Sequence, residues 1–238
     1  MDSDKQNLAN AMRAITETAQ QRFFATRPTP CPYLDGKMER KVFTELTGPN
    51  ADDLHHVLAN NGFRRSQNIA YRPFCENCSS CVAIRVILGE FRLKRWMRRV
   101  MNRNSDLLMS RCPPRVTQEQ YNLFNRYLAE RHATGGMADM TFDEYQSMVE
   151  DSAVTTEVVE FRNSHGELVA ACLVDVMDDG LSLIYSFFCA GKIGFEHRKR
   201  HHLVVDRRLS PQWLGICLFR VLDRRQSDYG LQKSFPTD

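Results

Sequence analysis

No apolar run in this chain approaches the roughly 20 residues that a membrane-spanning helix needs. Residues 1–21 are polar with helical alternation and have no apolar leader core, so export is not expected. A cytoplasmic setting then keeps the eight cysteines reduced and leaves disulfides out of the account. A second, separated C-x-x-C pair is also missing, although a four-thiolate zinc site usually shows two. Acidic residues are absent from Phe91 to Ser105. The rest is ordinary: 238 residues, 42% hydrophobic and 26% charged, which fits one large domain or two modest ones.

What is present centres on Tyr71-Arg72-Pro73-Phe74-Cys75-Glu76-Asn77-Cys78-Ser79-Ser80-Cys81. Two-residue spacing lets neighbouring thiols face one point, and Cys31 in a proline-rich loop offers a fourth. Metal binding, redox chemistry and small thiols that close a loop all remain open on this pattern. The net charge of +3 is uneven: residues 189–238 hold ten Lys and Arg against five Asp and Glu, so the first 188 residues net 3 − 5 = −2. Within those 188, Arg92, Lys94, Arg95, Arg98, Arg99 and Arg103 fall together. On a helix, Arg95, Arg98, Arg99 and Arg103 share one face. Such a face is either solvated surface or a phosphate-binding stripe, and the missing acids favour the second.

Helices are predicted at 4–20, Asn50–Asn61, Arg92–Arg103, Thr117–His132 and Phe142–Val149. Strands are predicted at Met38–Leu46, Phe63–Arg72, Val82–Leu88, Val154–Arg162, Glu167–Val176 and Leu181–Phe188, with a hairpin turn at Asn163–Gly166. Val42 and Phe43 are expected inside, and His55 and His56 on the surface. Pro113-Pro114 marks a boundary. The expected organisation is 1–112, with the cysteine loop and basic helix, then 113–188, then a divergent tail at 189–238.

These motifs resemble the bacterial aspartate/glutamate leucyltransferases, relatives of the arginyl-tRNA–protein transferases. The matching stretches are Cys31–Leu34, Glu39–Thr44, Gly62–Ser66, Tyr71–Pro73 with Cys75, Cys78 and Cys81, Gly135–Met140, and Asp179–Ser182 through Tyr185–Phe188. The resemblance implies an α/β fold of two tandem GNAT-like (acetyltransferase-type) halves, the second incomplete here. It implies transfer of leucine from leucyl-tRNA to the α-amine of proteins that begin with Asp or Glu, marking them for degradation. It involves no membrane and no DNA, and no cofactor is required. In the eukaryotic relatives the matching cysteines are associated with zinc or iron–sulfur binding, which implies Cys31, Cys75, Cys78 and Cys81 as ligands.

That chemistry needs a cation for the acceptor carboxylate, donors for the oxyanion and phosphate contacts for the tRNA. Arg72 and Arg85 are the candidates for the carboxylate or a phosphate, or for salt bridges to local acids. Tyr71 and Tyr185 are candidates for the oxyanion, or half-buried packing. Asp139 either orients the amine or caps a helix. Arg95, Arg98 and Arg99 are assigned to the tRNA backbone. Two rival functions remain. A coenzyme A-dependent acetyltransferase would need a Gly-rich pyrophosphate loop, which is absent. A non-catalytic zinc-ribbon RNA-binding module leaves the Gly135–Met140 loop unexplained.

The resemblance stops after Phe188, where the family's Asp-Pro and its later Tyr-Trp strand do not follow. Back-translation of Ile216–Pro236, read one base later, permits a Tyr-Trp strand of the family's kind. A frameshifted tail is therefore expected, against the alternative of a natural basic extension. A shifted tail would leave the second half incomplete and the product impaired.

Overall fold

The computed structural model of the chain describes residues 21–83, 92, 95–133 and 135–189, without the side chains of 96, 97 and 100. The expected helix at 4–20, Arg85, most of the Val82–Leu88 strand and the tail beyond 189 lie outside the described residues. The packing divides the chain between Arg85 and Val86, earlier than the Pro113-Pro114 cut. The architecture is mixed α/β with antiparallel sheets.

The first unit orders its elements as β1 (Phe24–Ala25), β2 (Thr29–Pro30), β3 (Met38–Glu39), β4 (Lys41–Glu45), α1 (Ala51–Asn60), β5 (Arg64–Ser66) and β6 (Ile69–Pro73). Four strands form a sheet in the order β1-β4-β6-β5, and β2 and β3 make a separate hairpin. Alternation along β4 buries Val42 and Thr44, while Phe43 is only half-buried and packs on Phe24, 5.5 Å between ring centres. Asp52 and Asp53 sit in the first turn of α1, where they favour the positive end of the helix dipole. The helix stops at Gly62, whose φ of +80° is the left-handed conformation that a side chain would strain. Ala51, His55 and Leu58 form the buried face of α1. His55 is only 3% exposed, against the expected surface position, because its place in the helix falls in register with Ala51 and Leu58. The predicted Phe63–Arg72 strand is two strands, β5 and β6, separated by Gln67-Asn68. Gln67 takes a φ of +50°, so the chain turns in the middle of the run.

The second unit begins with α2 (Arg95–Arg103) and β7 (Leu108–Cys112), followed by α3 (Gln118–Arg131), α4 (Phe142–Glu150), β8 (Thr156–Arg162), β9 (Leu168–Met177) and β10 (Gly180–Phe188). The sheet order is β10-β9-β8-β7, antiparallel throughout. β7 carries no clear alternation in Leu-Met-Ser-Arg-Cys and gives no strand signal; it forms by pairing with β8, reinforced by the Arg111–Glu157 ion pair. β9 is buried from Leu168 to Asp175, as expected for a central strand covered on both faces. α3 and α4 both start with capping boxes, Thr117 with Gln120 and Thr141 with Glu144. The hairpin between β8 and β9 closes as expected. Asn163 Oδ1 accepts from the His165 and Glu167 amides, and Gly166 takes a φ of +78°.

Between the helices and the sheet lies an aromatic cluster. Phe124 and Tyr145 are fully buried with ring centres 4.9 Å apart. Phe187 meets Phe124 edge-on at 5.5 Å, and Tyr127 meets Phe188 at 5.1 Å. Each such buried ring contributes roughly 1.5–3 kcal/mol of transfer free energy.

Candidate functional site

The first unit holds the cysteine loop. Cys31 lies at the β2–β3 hairpin, where its amide donates to the Lys37 carbonyl at 2.8 Å. β6 runs directly into the loop carrying Cys75, Cys78 and Cys81, and all four thiols are half-buried. Cys75 is held by the backbone of Arg40. Its Sγ accepts from the Arg40 amide at 3.5 Å and lies 3.7 Å from the Arg40 carbonyl. Asn77 takes a φ of +55° to turn the loop. Burial pushes the Cys81 thiol above its ordinary pKa; Arg64 opposes this, and the nearby Cys75, Cys31 and Cys78 add to it. Cys81 thus lies within electrostatic reach of each of the other three. Soft thiols are the donors that zinc and iron–sulfur clusters take. Among the described residues, no three His, Cys, Asp or Glu side chains stand at metal-holding spacing.

Tyr71 and Arg72 lie on β6, at the mouth of that loop. Tyr71 pairs with Phe43 on β4 and Arg64 on β5, is half-buried, and has the Lys41 ammonium 5.9 Å from its ring centre. Arg72 donates from Nη1 to the Asn61 carbonyl at 2.8 Å, tying β6 to the end of α1. That bond commits one face of its guanidinium to the fold. Glu76, an acid of the same loop, pairs with Arg40 at 3.7 Å.

The second unit holds the other candidates. Arg95, Arg98, Arg99 and Arg103 are exposed on α2, as their spacing requires. The Gly135–Met140 segment forms consecutive turns between α3 and α4, with the Ala138 amide on the Gly135 carbonyl at 3.0 Å. A Cβ at Gly135 would stand 3.2 Å from the His132 carbonyl, so the turn is close enough to favour glycine. Asp139 is exposed at its tip. It does not cap α4, whose N-cap is Thr141. Tyr121 anchors this segment, donating to the Met140 carbonyl at 2.9 Å. Tyr185 is half-buried on β10 with its ring 5.8 Å from Phe124. Tyr71 and the cysteines thus belong to one unit, and Tyr185, Asp139 and the basic helix to the other.

Sequence reasoning missed a buried polar network behind the second site. Glu160 on β8 is 6% exposed and accepts from Gln120 Nε2 at 2.9 Å. Its other oxygen receives Arg162, which also bridges to Glu119 at 2.8 Å. Burial, with the Glu160 charge added, holds the Tyr145 phenol well above its usual range, so it stays neutral. The available signal was Thr117-x-x-Gln120, the capping-box pattern that places Gln120 at the inward start of α3.

Comparisons with known proteins find relatives along most of the described chain. Residues 29–99 match the family model "Arginine-tRNA-protein transferase, N terminus", and residues 119–193 match "Arginine-tRNA-protein transferase, C terminus". The aspartate/glutamate leucyltransferase of Brucella anthropi is 49% identical over 186 residues, covering 73% of this chain and 75% of that protein. That of Afipia carboxidovorans is 54% identical over 173 residues, covering 70% and 69%. That of Parvibaculum lavamentivorans is 49% identical over 179 residues, covering 75% and 74%.

Proposed function

Because the chain belongs to the aspartate/glutamate leucyltransferase family, we propose that it moves leucine from leucyl-tRNA to the α-amine of proteins beginning with Asp or Glu. One observation carries this: about half-identity to the Brucella anthropi, Afipia carboxidovorans and Parvibaculum lavamentivorans relatives, over 73%, 70% and 75% of this chain. The non-catalytic RNA-binding reading is not favoured, since both transferase family models match. The finer fold, two tandem GNAT-like halves, is part of the same proposal, as are the cytoplasmic setting and the marking of acceptors for degradation. No helix among the described residues is long and apolar enough to cross a membrane.

The reaction is aminolysis of an ester. The acceptor amine, with a pKa near 7.7–8.0, is partly neutral at pH 7 and attacks the leucyl carbonyl. An amide C–N bond forms, the ester C–O bond breaks, and the amine proton goes to the departing 3′ oxygen of the tRNA. The ester is activated, so positioning and charge stabilisation supply the rate. In this reading Tyr71 and Tyr185 are each candidates to donate to the oxyanion, and Asp139 is the candidate to orient the amine. Arg72 and Arg85 take the acceptor carboxylate or a phosphate. The exposed row Arg95, Arg98 and Arg99 supports a role against phosphates.

Cys31, Cys75, Cys78 and Cys81 are the residues proposed to hold zinc or an iron–sulfur cluster. Such a group would fix the loop after β6, and no step above runs through it. Metal analysis of the purified protein tests this: zinc or iron bound in proportion to protein and lost in Cys75→Ala is expected. Metal absent from protein purified under zinc- and iron-replete anaerobic conditions overturns it.

The frameshifted tail is supported by the end of the family match at residue 193. Resequencing across the Phe188 codon tests it, and an uninterrupted frame encoding this tail overturns it. Labelled leucyl-tRNA incubated with peptides starting in Asp, Glu or Ala tests the function. Transfer to the acidic peptides alone is expected from the frame-corrected chain, with less from the chain as given. No transfer by the frame-corrected chain overturns the reading.

A further inference from the structure

Large apolar side chains at the surface are unevenly placed. Of the eight that are exposed among the described residues, Phe24, Tyr33, Leu34, Met38, Val57, Ile69 and Phe74 belong to the first unit, and only Leu108 to the second. Tyr33 is the most exposed at 66%, followed by Leu108 at 58% and Met38 at 54%. Tyr33 and Met38 both sit in the β2–β3 hairpin that carries Cys31. The tip is a formed structure. Thr29 pairs with Glu39 and Pro30 with Met38, the Lys37 amide donates to the Leu34 carbonyl at 3.2 Å, and Gly36 takes a φ of +69°. An exposed ring on an ordered tip is free to stack against a flat ligand.

The charges around it are mainly cationic. Residues 27–41 carry Arg27, Lys37, Arg40 and Lys41 against Asp35 and Glu39, a net of 4 − 2 = +2. Lys41 lies near both tyrosines of this region. Its ammonium is 5.9 Å from the Tyr71 ring centre and close enough to the Tyr33 phenol to feel it. Glu39 at 2.9 Å fixes the ammonium and, as the main cause, holds its pKa above the usual value. Lys37 is exposed in the same turn as Tyr33.

We propose that this hairpin tip seats the unpaired 3′ end of the donor tRNA, one base stacked on Tyr33 and the neighbouring phosphates against Lys37 and Lys41. Aromatic rings beside cations are the chemistry that holds single-stranded nucleic acid without reading its sequence. The Arg40 amide, next to β3, donates to Cys75, and the Lys41 ammonium lies 5.9 Å from the Tyr71 ring centre, so the hairpin adjoins both the cysteine loop and Tyr71. This subsite rests on the transfer reaction proposed above, because that reaction is what brings a tRNA end to this chain.

The test uses two RNA hairpins, one with a four-nucleotide single-stranded 3′ tail and one blunt. Affinity is measured for the full chain and for Tyr33→Ala, Tyr33→Phe and Lys37→Ala. Stacking contributes about 1–3 kcal/mol per base, so Tyr33→Ala is expected to weaken the tailed RNA about 5- to 160-fold and to leave the blunt one unchanged. Tyr33→Phe keeps the ring and is expected to bind like the parent. Lys37→Ala is expected to flatten the salt dependence of tailed-RNA binding. Equal loss for both RNAs, or no loss for either, overturns the subsite. So does weakened binding of an Asp-initiated peptide with RNA binding intact, since the tip would then face the acceptor protein. Tail-dependent binding without leucine transfer by the frame-corrected chain would overturn the function and keep the subsite; transfer with a Tyr33-independent tail would do the reverse.

Discussion

The two units handle large apolar side chains in opposite ways. The first keeps a small core under α1 and turns Phe24, Tyr33, Met38 and Phe74 outward. The second turns Phe124, Tyr145, Phe161 and Phe187 inward and gives its exposed helix, α2, to arginine. Exposed apolar surface adds nothing to folding, so it marks where contact with something else repays the exposure. The contrast assigns stability mainly to the second unit and close contact with ligand mainly to the first. A substitution in each should therefore report on a different property.

Phe124→Ala should separate the two most strongly. Its ring is fully buried among Tyr145, Tyr185 and Phe187, so deletion leaves a cavity that the neighbouring rings fill poorly. The loss should be about 3–5 kcal/mol in denaturant unfolding. Tyr33→Ala, by the same measurement, should change stability by less than about 0.5 kcal/mol. Similar losses for both would erase the distinction between the units.

Next comes the arginine face of α2. Replacing Arg95, Arg98 and Arg99 with alanine should weaken binding of leucyl-tRNA. The slope of log affinity against log salt should fall by about 0.7–0.9 for each phosphate that is no longer neutralised. Unfolding should hardly shift, because all three side chains are exposed. An unchanged salt slope would return α2 to ordinary solvated surface and leave the first unit alone in contact with RNA.

A smaller effect is expected inside the second unit. Gln120→Ala removes the partner of a Glu160 oxygen that water barely reaches, and also one half of a capping box. A buried acceptor left unsatisfied costs about 1–3 kcal/mol, so a melting curve should move by that order. Gln120→Glu should do worse than its small change in shape suggests, because it sets a second carboxylate against Glu160.

The sequence made periodic elements readable and hid those made by pairing. α1, α3 and α4 carry their own start signals and apolar spacing, and β8, β9 and β10 carry apolar runs bounded by Asn163–Gly166 and Asp178–Gly180. β7 has neither, and exists because β8 offers it a partner. The turn at Gln67 was hidden for a related reason: a single residue in the left-handed region divides a run whose composition reads as one strand. At the site, helical spacing showed that the arginines of α2 share an exposed face. The Asn61 bond of Arg72, the Glu160 network and the exposure of Tyr33 depend on tertiary placement, to which a local pattern is blind.

The finest discrimination lies in the surface pairs. Arg162 donates to Glu119 at 2.8 Å, and that hydrogen bond, chiefly, holds the Glu119 carboxyl below the usual carboxylate range. A carboxyl whose folded pKa lies below its unfolded value of ~4.3 contributes stability above that pH. The contribution fades as pH falls through the folded value. Because the Glu119 side chain is half exposed, solvent screens the pair, and Glu119→Gln should cost less than about 1 kcal/mol at pH 7. The difference between parent and variant should shrink as the pH falls through the folded value. In the first unit, Arg40 and Glu76 stand 3.7 Å apart with Glu76 84% exposed, so Glu76→Gln should show a smaller difference at either pH. Parallel unfolding curves at pH 7 and about pH 3.5 make the comparison. A larger loss for Glu76→Gln would mean that the first unit depends on its surface pairs more than its thin core suggests, and would reverse the assignment of stability between the two.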